Sequence, residues 1–134
     1  MRTWVLATPD VETAFLKGLT YKEISDMTGE SLRMVYFHLP KGVAAVMRQI
    51  PRYKEYDERY HCLRRTRPGN GTQDAPRAFW LKLALVTRSP EIGFVPTTMD
   101  KDLELKHEHG QLVALVWKHV GDVKFGAPES RLAW

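Results

Sequence analysis

The residues best able to do chemistry in this sequence are two aspartates, a set of arginines and a pair of histidines. Asp10 follows Pro9 at the end of a short apolar run, and Asp122 follows Gly121 beyond a longer one. If both runs are strands, the two carboxylates lie at strand ends that can meet. Taken singly, each has an ordinary structural role, Asp10 as a helix cap and Asp122 as a turn residue. Arg64, Arg65 and Arg67 cluster ahead of Pro68, and Arg77, Lys82 and Arg88 follow in a helical stretch, a distribution suited to phosphates. His107 and His109 alternate along one strand and would share a face, but no third metal ligand accompanies them. Cys62 is the single cysteine, which excludes an internal disulfide and a thiolate zinc cluster.

These residues sit in a chain of 134 residues, 43% hydrophobic and 27% charged, a size for one domain or a piece of a larger one. Twenty Lys and Arg against 16 Asp and Glu give a formal charge of +4, compatible with a polyanionic partner. No apolar run approaches the roughly 18 to 20 residues that span a bilayer, and the start lacks the apolar core of a secretory signal. With one cysteine, the setting expected is reducing and intracellular, with no membrane.

The elements that must position these residues are short. Residues 3–7 read as a strand, 13–16 as the start of a helical stretch, and 21–28 as a helix that Gly29 stops. Residues 34–39 read as a strand on β-branched and aromatic content, 43–50 as an amphipathic helix before Pro51, and 60–64 as another strand. The polar stretch 54–59 is the one plausible linker. Pro68-Gly69-Asn70-Gly71 is the strongest turn signal, after which Asp74 is placed to cap a helix over 75–87 with Phe79, Leu83 and Val86 on its core face. Residues 103–106 and 112–119 read as a hairpin about Glu108-His109-Gly110. The pattern predicts an α+β fold, a small antiparallel sheet with helices packed on one face.

Three segments in order resemble the reverse transcriptase of copia-type retrotransposons. Asp10-Val11-Glu12-Thr13-Ala14-Phe15-Leu16-Lys17-Gly18 is similar, almost residue for residue, to that family's first catalytic motif, Asp-Val-x-Thr-Ala-Phe-Leu-x-Gly. Asp74-Ala75-Pro76-Arg77-Ala78-Phe79 resembles its Gln-Ala-Pro-Arg-Ala-Trp segment, with Gly71 ahead of it where the family also has glycine. Lys118-His119-Val120-Gly121-Asp122 resembles, with departures, its aromatic-Val-Asp-Asp hairpin turn. The resemblance implies a partial palm and fingers domain over residues 1–126 and a divergent tail over 127–134. It implies RNA-directed DNA polymerase chemistry, with RNA or DNA template, primer and deoxynucleotide triphosphates as partners and two Mg²⁺ as cofactor.

Under that resemblance Asp10 and Asp122 are the catalytic and metal-binding carboxylates and the backbone carbonyl of Val11 is a further metal ligand. Ala14 and Phe15 would border the nucleotide, Phe15 under its sugar, and Gly71 and Arg77 would approach its phosphates. Two Mg²⁺ about 4 Å apart repel by roughly 17 kcal/mol at an effective dielectric of about 20, so bridging carboxylates are indispensable. Gly121 stands where the family carries the first aspartate of its pair, and His119 where it commonly has tyrosine. The upstream fingers segment, the thumb and the rest of the retroelement polyprotein are missing from the sequence. The expectation is a degenerate copy with catalysis severely impaired or absent. The alternative is a helix-turn-helix DNA-binding module in residues 18–39, with 31–39 as recognition helix and Arg33 and His38 reaching the groove. It requires helix where the polymerase reading requires strand.

Overall fold

The computed structural model describes residues 3–119 and 121–131. The chain is α+β, and it divides into two compact units, residues 1–19 with 68–134 and residues 20–67.

The first unit is built on one antiparallel sheet of five strands. They are β1 (Trp4–Ala7), β4 (Val95–Pro96), β5 (Leu103–Glu108), β6 (Gln111–His119) and β7 (Asp122–Pro128), in the order β1-β7-β6-β5-β4. The β5–β6 connection is the expected hairpin. His109 and Gly110 both take positive φ, 51° and 74°, which is the two-residue turn whose twist matches that of the strands. The chain enters β7 from β6 through another two-residue connection, with His119 opposite Asp122. Val120, the valine of the third motif, lies outside the described residues.

Helix α3 (Ala75–Thr87) has the predicted bounds, with Pro76 in its first turn where no backbone donor is needed. It buries Ala75, Ala78, Phe79, Ala84 and Thr87, and Leu83 packs on the sheet's apolar cluster of Phe94, Ala114, Val116, Val123 and Ala127. Two local expectations are corrected. Val86 is exposed, because the face is wound toward Ala84 and Thr87. Asp74 has helical dihedrals and its side chain makes no capping hydrogen bond. The boundary at residue 126 is also moved. Ala127 is buried and pairs with Val5, and Pro128 pairs with Trp4, so the start of the supposed tail is sheet. The last three residues, Trp134 among them, lie outside the described residues.

The second unit holds helix α1 (Tyr21–Thr28), strand β2 (Val35–Phe37), helix α2 (Val43–Met47) and strand β3 (Leu63–Arg65). The bounds of α1 follow from local chemistry. Thr20 Oγ1 accepts from the Glu23 N–H at 3.1 Å while the Glu23 carboxylate accepts from the Thr20 N–H at 2.7 Å. At the other end Gly29 takes the left-handed conformation and its N–H reaches the Ser25 carbonyl. Strands β2 and β3 form a two-stranded antiparallel ribbon.

Two further expectations fail in this unit. Residues 54–59 are no linker. Tyr56 is buried there, its hydroxyl donates to the His61 carbonyl, and Arg59 beside Asp57 holds that carboxyl down to about 2. Residues 31–34 have no helix and 35–37 are strand, so the recognition helix of the DNA-binding alternative is absent.

Candidate functional site

The first motif leaves the sheet at the end of β1. Asp10 is exposed, three residues past Ala7, and the chain then turns through Thr13 into a 3-10 turn, Ala14–Lys17. Thr13 lies in the left-handed region at φ 53°, which for a β-branched residue costs on the order of 1–3 kcal/mol. Two hydrogen bonds hold the turn, Ala14 N–H to the Val11 carbonyl at 3.1 Å and Leu16 N–H to the Thr13 carbonyl at 2.9 Å. The Val11 carbonyl is thus already an acceptor within its own turn, and the Val11 side chain packs against the apolar cluster. Ala14 and Phe15 are half-buried.

Strand register relates Asp10 to Asp122. β1 and β7 pair Trp4 with Pro128, Val5 with Ala127, Leu6 with Gly126 and Ala7 with Phe125. The pairing ends at Ala7, three residues before Asp10, and β7 opens with the exposed Asp122, three residues before Phe125, so the closing end of β1 and the opening end of β7 lie together. The two aspartates therefore belong to the same end of neighbouring strands. Gly121 stands beside them in the connection and offers no side chain.

The first and second motifs meet directly. Leu19 N–H donates to the Ala78 carbonyl at 3.1 Å. A Cβ on Gly18 would lie 2.9 Å from the Phe79 nitrogen and 3.0 Å from the Ala78 carbonyl carbon. Only glycine lets the 3-10 turn approach the backbone of α3 this closely. Gly71 is exposed at φ 84° in the turn ahead of α3, where Thr72 N–H bonds the Gly69 carbonyl, and Arg77 is exposed in the first turn of that helix.

Sequence reasoning missed a buried charge cluster. Glu104 on β5 is 0% exposed and Lys118 on β6 is 1% exposed, and their side chains are hydrogen-bonded to each other. Arg88, just past α3, donates its Nε–H to the same Glu104 oxygen at 2.7 Å, and Trp80 donates its indole N–H to Asp102 at 2.6 Å. Both cations lie over the Trp80 ring, Arg88 at 5.4 Å and Lys118 at 5.3 Å. Burial pushes the Glu104 carboxyl up, but hydrogen bonds from Lys118, Thr87 and Arg88 outweigh it and hold the group below the ordinary carboxylate range. Burial pushes the Lys118 ammonium down against the pull of Glu104. One signal was present in the sequence: the period of two along β6 puts Lys118 on the same face as buried Ala114 and Val116.

As a metal centre the residues are incomplete. Two Mg²⁺ need bridging carboxylates, and Asp10 and Asp122 supply two groups where the family pattern has three. Among the described residues no group of three or more His, Cys, Asp and Glu could hold a metal ion. The donor set does not fit a two-metal pair. Compared with protein-family models, curated proteins and solved structures, the chain matches none of them. No helix among the described residues is long and apolar enough to cross a membrane.

Proposed function

We propose that this chain is a degenerate copy of part of a copia-type retrotransposon reverse transcriptase, a palm and fingers piece that keeps the framework of a nucleotidyltransferase and has lost its chemistry. The observation that carries the reading is the β1–β7 pairing, in which the strand that leads toward Asp10 runs beside the strand that opens with Asp122, 112 positions further along the sequence. The packing of Gly18 on Ala78 and Phe79 supports it further, since it explains physically why a glycine closes the first motif and small Ala78 sits in the second. In this reading Gly121 in place of a bridging aspartate is the lesion. The remaining carboxylates can neutralise only half the charge of two divalent ions.

The reading is tested by restoring the missing ligand. In the whole chain, Mn²⁺ titration followed by paramagnetic broadening of backbone amide signals should leave the native protein little changed. It should broaden residues 10–12 and 121–123 in the Gly121→Asp variant, and Asp10→Asn in that background should abolish the effect. Failure of Gly121→Asp to gain binding at those residues would sink the proposal. A nucleic-acid partner follows from the same reading, with template and primer the expected class.

A further inference from the structure

The arginine cluster singled out in the sequence lies in the second unit, on a ribbon whose two faces differ. Register pairs Tyr36 with Arg64, and directly opposed residues of an antiparallel pair project from the same face. Both are exposed, Tyr36 at 53%. The flanking pairs, Val35 with Arg65 and Phe37 with Leu63, belong to the opposite face, where Val35, Arg65 and Leu63 are half-buried and Phe37 is exposed. One face of the ribbon is partly covered, and the other offers an exposed aromatic ring beside a guanidinium. Met34 and His38 on one side of Tyr36 and Cys62 and Thr66 about Arg64 are exposed as well.

Charge says what such a face meets. Residues 20–67 hold ten of the 20 Lys and Arg and six of the 16 Asp and Glu, so the entire formal charge of +4 falls in this unit. The rest of the chain carries ten of each sign and is neutral. A polyanion is therefore drawn to the unit that displays the ring. An acidic peptide would satisfy the charge and leave the ring in water, whereas an unpaired base covers it by stacking.

We propose that the outer face of the β2–β3 ribbon binds single-stranded nucleic acid, Tyr36 stacking on a base and Arg64 pairing with a backbone phosphate. A duplex keeps its bases stacked on each other and has no free face for Tyr36. The ligand class is the one the polymerase reading expects, but this surface is argued from its own residues and uses neither Asp10, Asp122 nor a metal ion.

The test is fluorescence anisotropy of the whole chain with short labelled oligouridine and oligothymidine, across a salt series. Tyr36→Ala should weaken binding roughly ten- to a hundredfold, and Tyr36→Phe, which keeps the ring, should restore it. Arg64→Gln should lower the slope of log affinity against log salt by about 0.7. Lys101→Gln, which removes an exposed cation from the neutral unit, should leave binding unchanged, which separates this surface from the charge of the chain as a whole. Absence of oligonucleotide binding at low salt would overturn the proposal. So would a duplex of equal length bound as tightly as the single strand, displacement by polyglutamate at equal charge, or Tyr36→Ala and Arg64→Gln variants that bind like the native chain.

Discussion

The two units of this chain are stabilised by different physics. The sheet unit has an apolar cluster formed by residues distant in sequence, Phe94 with Ala114, Val116, Val123 and Ala127, and it buries a complete ion pair. Residues 20–67 bury Tyr21, Ile24, Ala44 and Tyr56 and leave Met34, Tyr36, Phe37, Val46, Ile50 and Tyr60 open to solvent. Short-range bonds supply much of the order there, the Thr20–Glu23 capping box, Ser25 Oγ donating to the Glu30 carbonyl at 2.7 Å and Arg59 on Asp57 at 2.9 Å, beside the β2–β3 ribbon and the Tyr21 N–H bond to the Thr66 carbonyl at 3.0 Å. The contrast separates two jobs. Under the two proposals, a neutral unit with a long-range core holds strand ends in register, and a basic unit with exposed rings would meet a flexible polyanion.

Substitutions that act on one unit and spare the other break or sharpen this comparison. The largest effect is expected at the buried pair. Glu104→Gln leaves Lys118 buried without its counter-charge and should cost about 3–5 kcal/mol in urea unfolding, whereas Glu104→Leu with Lys118→Met should be close to neutral. The same pair sets the acid limit. The folded Glu104 carboxyl sits below its ordinary value of 4.5, so its contribution is in place above that pH and is lost as pH falls through the folded-state value. The stability difference between native and Glu104→Gln protein should therefore be full at neutral pH and shrink as pH falls through the folded-state value.

Next in size, Gly18→Ala drives a methyl into the α3 backbone and should cost about 1–3 kcal/mol, read as lower hydrogen-exchange protection in α3 with α1 unchanged. The smallest is Thr20→Ala, which removes the capping box for about 1 kcal/mol and should loosen α1 while the β5–β6 amides keep their protection. Equal loosening of both units by Thr20→Ala would mean that the chain unfolds as one body, and the division drawn here would fall.

Much of the local structure was legible because its causes are local. The bounds of α1 follow from Thr20, Glu23 and Gly29, those of α3 from the turn before it and Pro76, and the β5–β6 turn from His109-Gly110. The strand at Val35–Phe37 was legible from β-branched and aromatic content, and it separated the two functional readings. The candidate site was legible as residue types and motif spacing, with Asp10 and Asp122 at strand ends.

What the sequence determined by itself is thus the set of elements, the hairpin turns and the identity of the motif residues, since capping, turn dihedrals and strand alternation act over a few residues. Tertiary structure alone decided the rest. The burial of Lys118 depends on Glu104 and Arg88, 14 and 30 positions away, and a buried charge is intelligible only through its partners. The structured turn at 54–59 depends on Tyr56 finding cover, and the place of Ala127 in the sheet depends on β1 from the far end of the chain. That β1, which leads toward Asp10, lies beside β7, which opens with Asp122, is likewise a property of strand pairing, because register is set by which faces are buried and not by either aspartate.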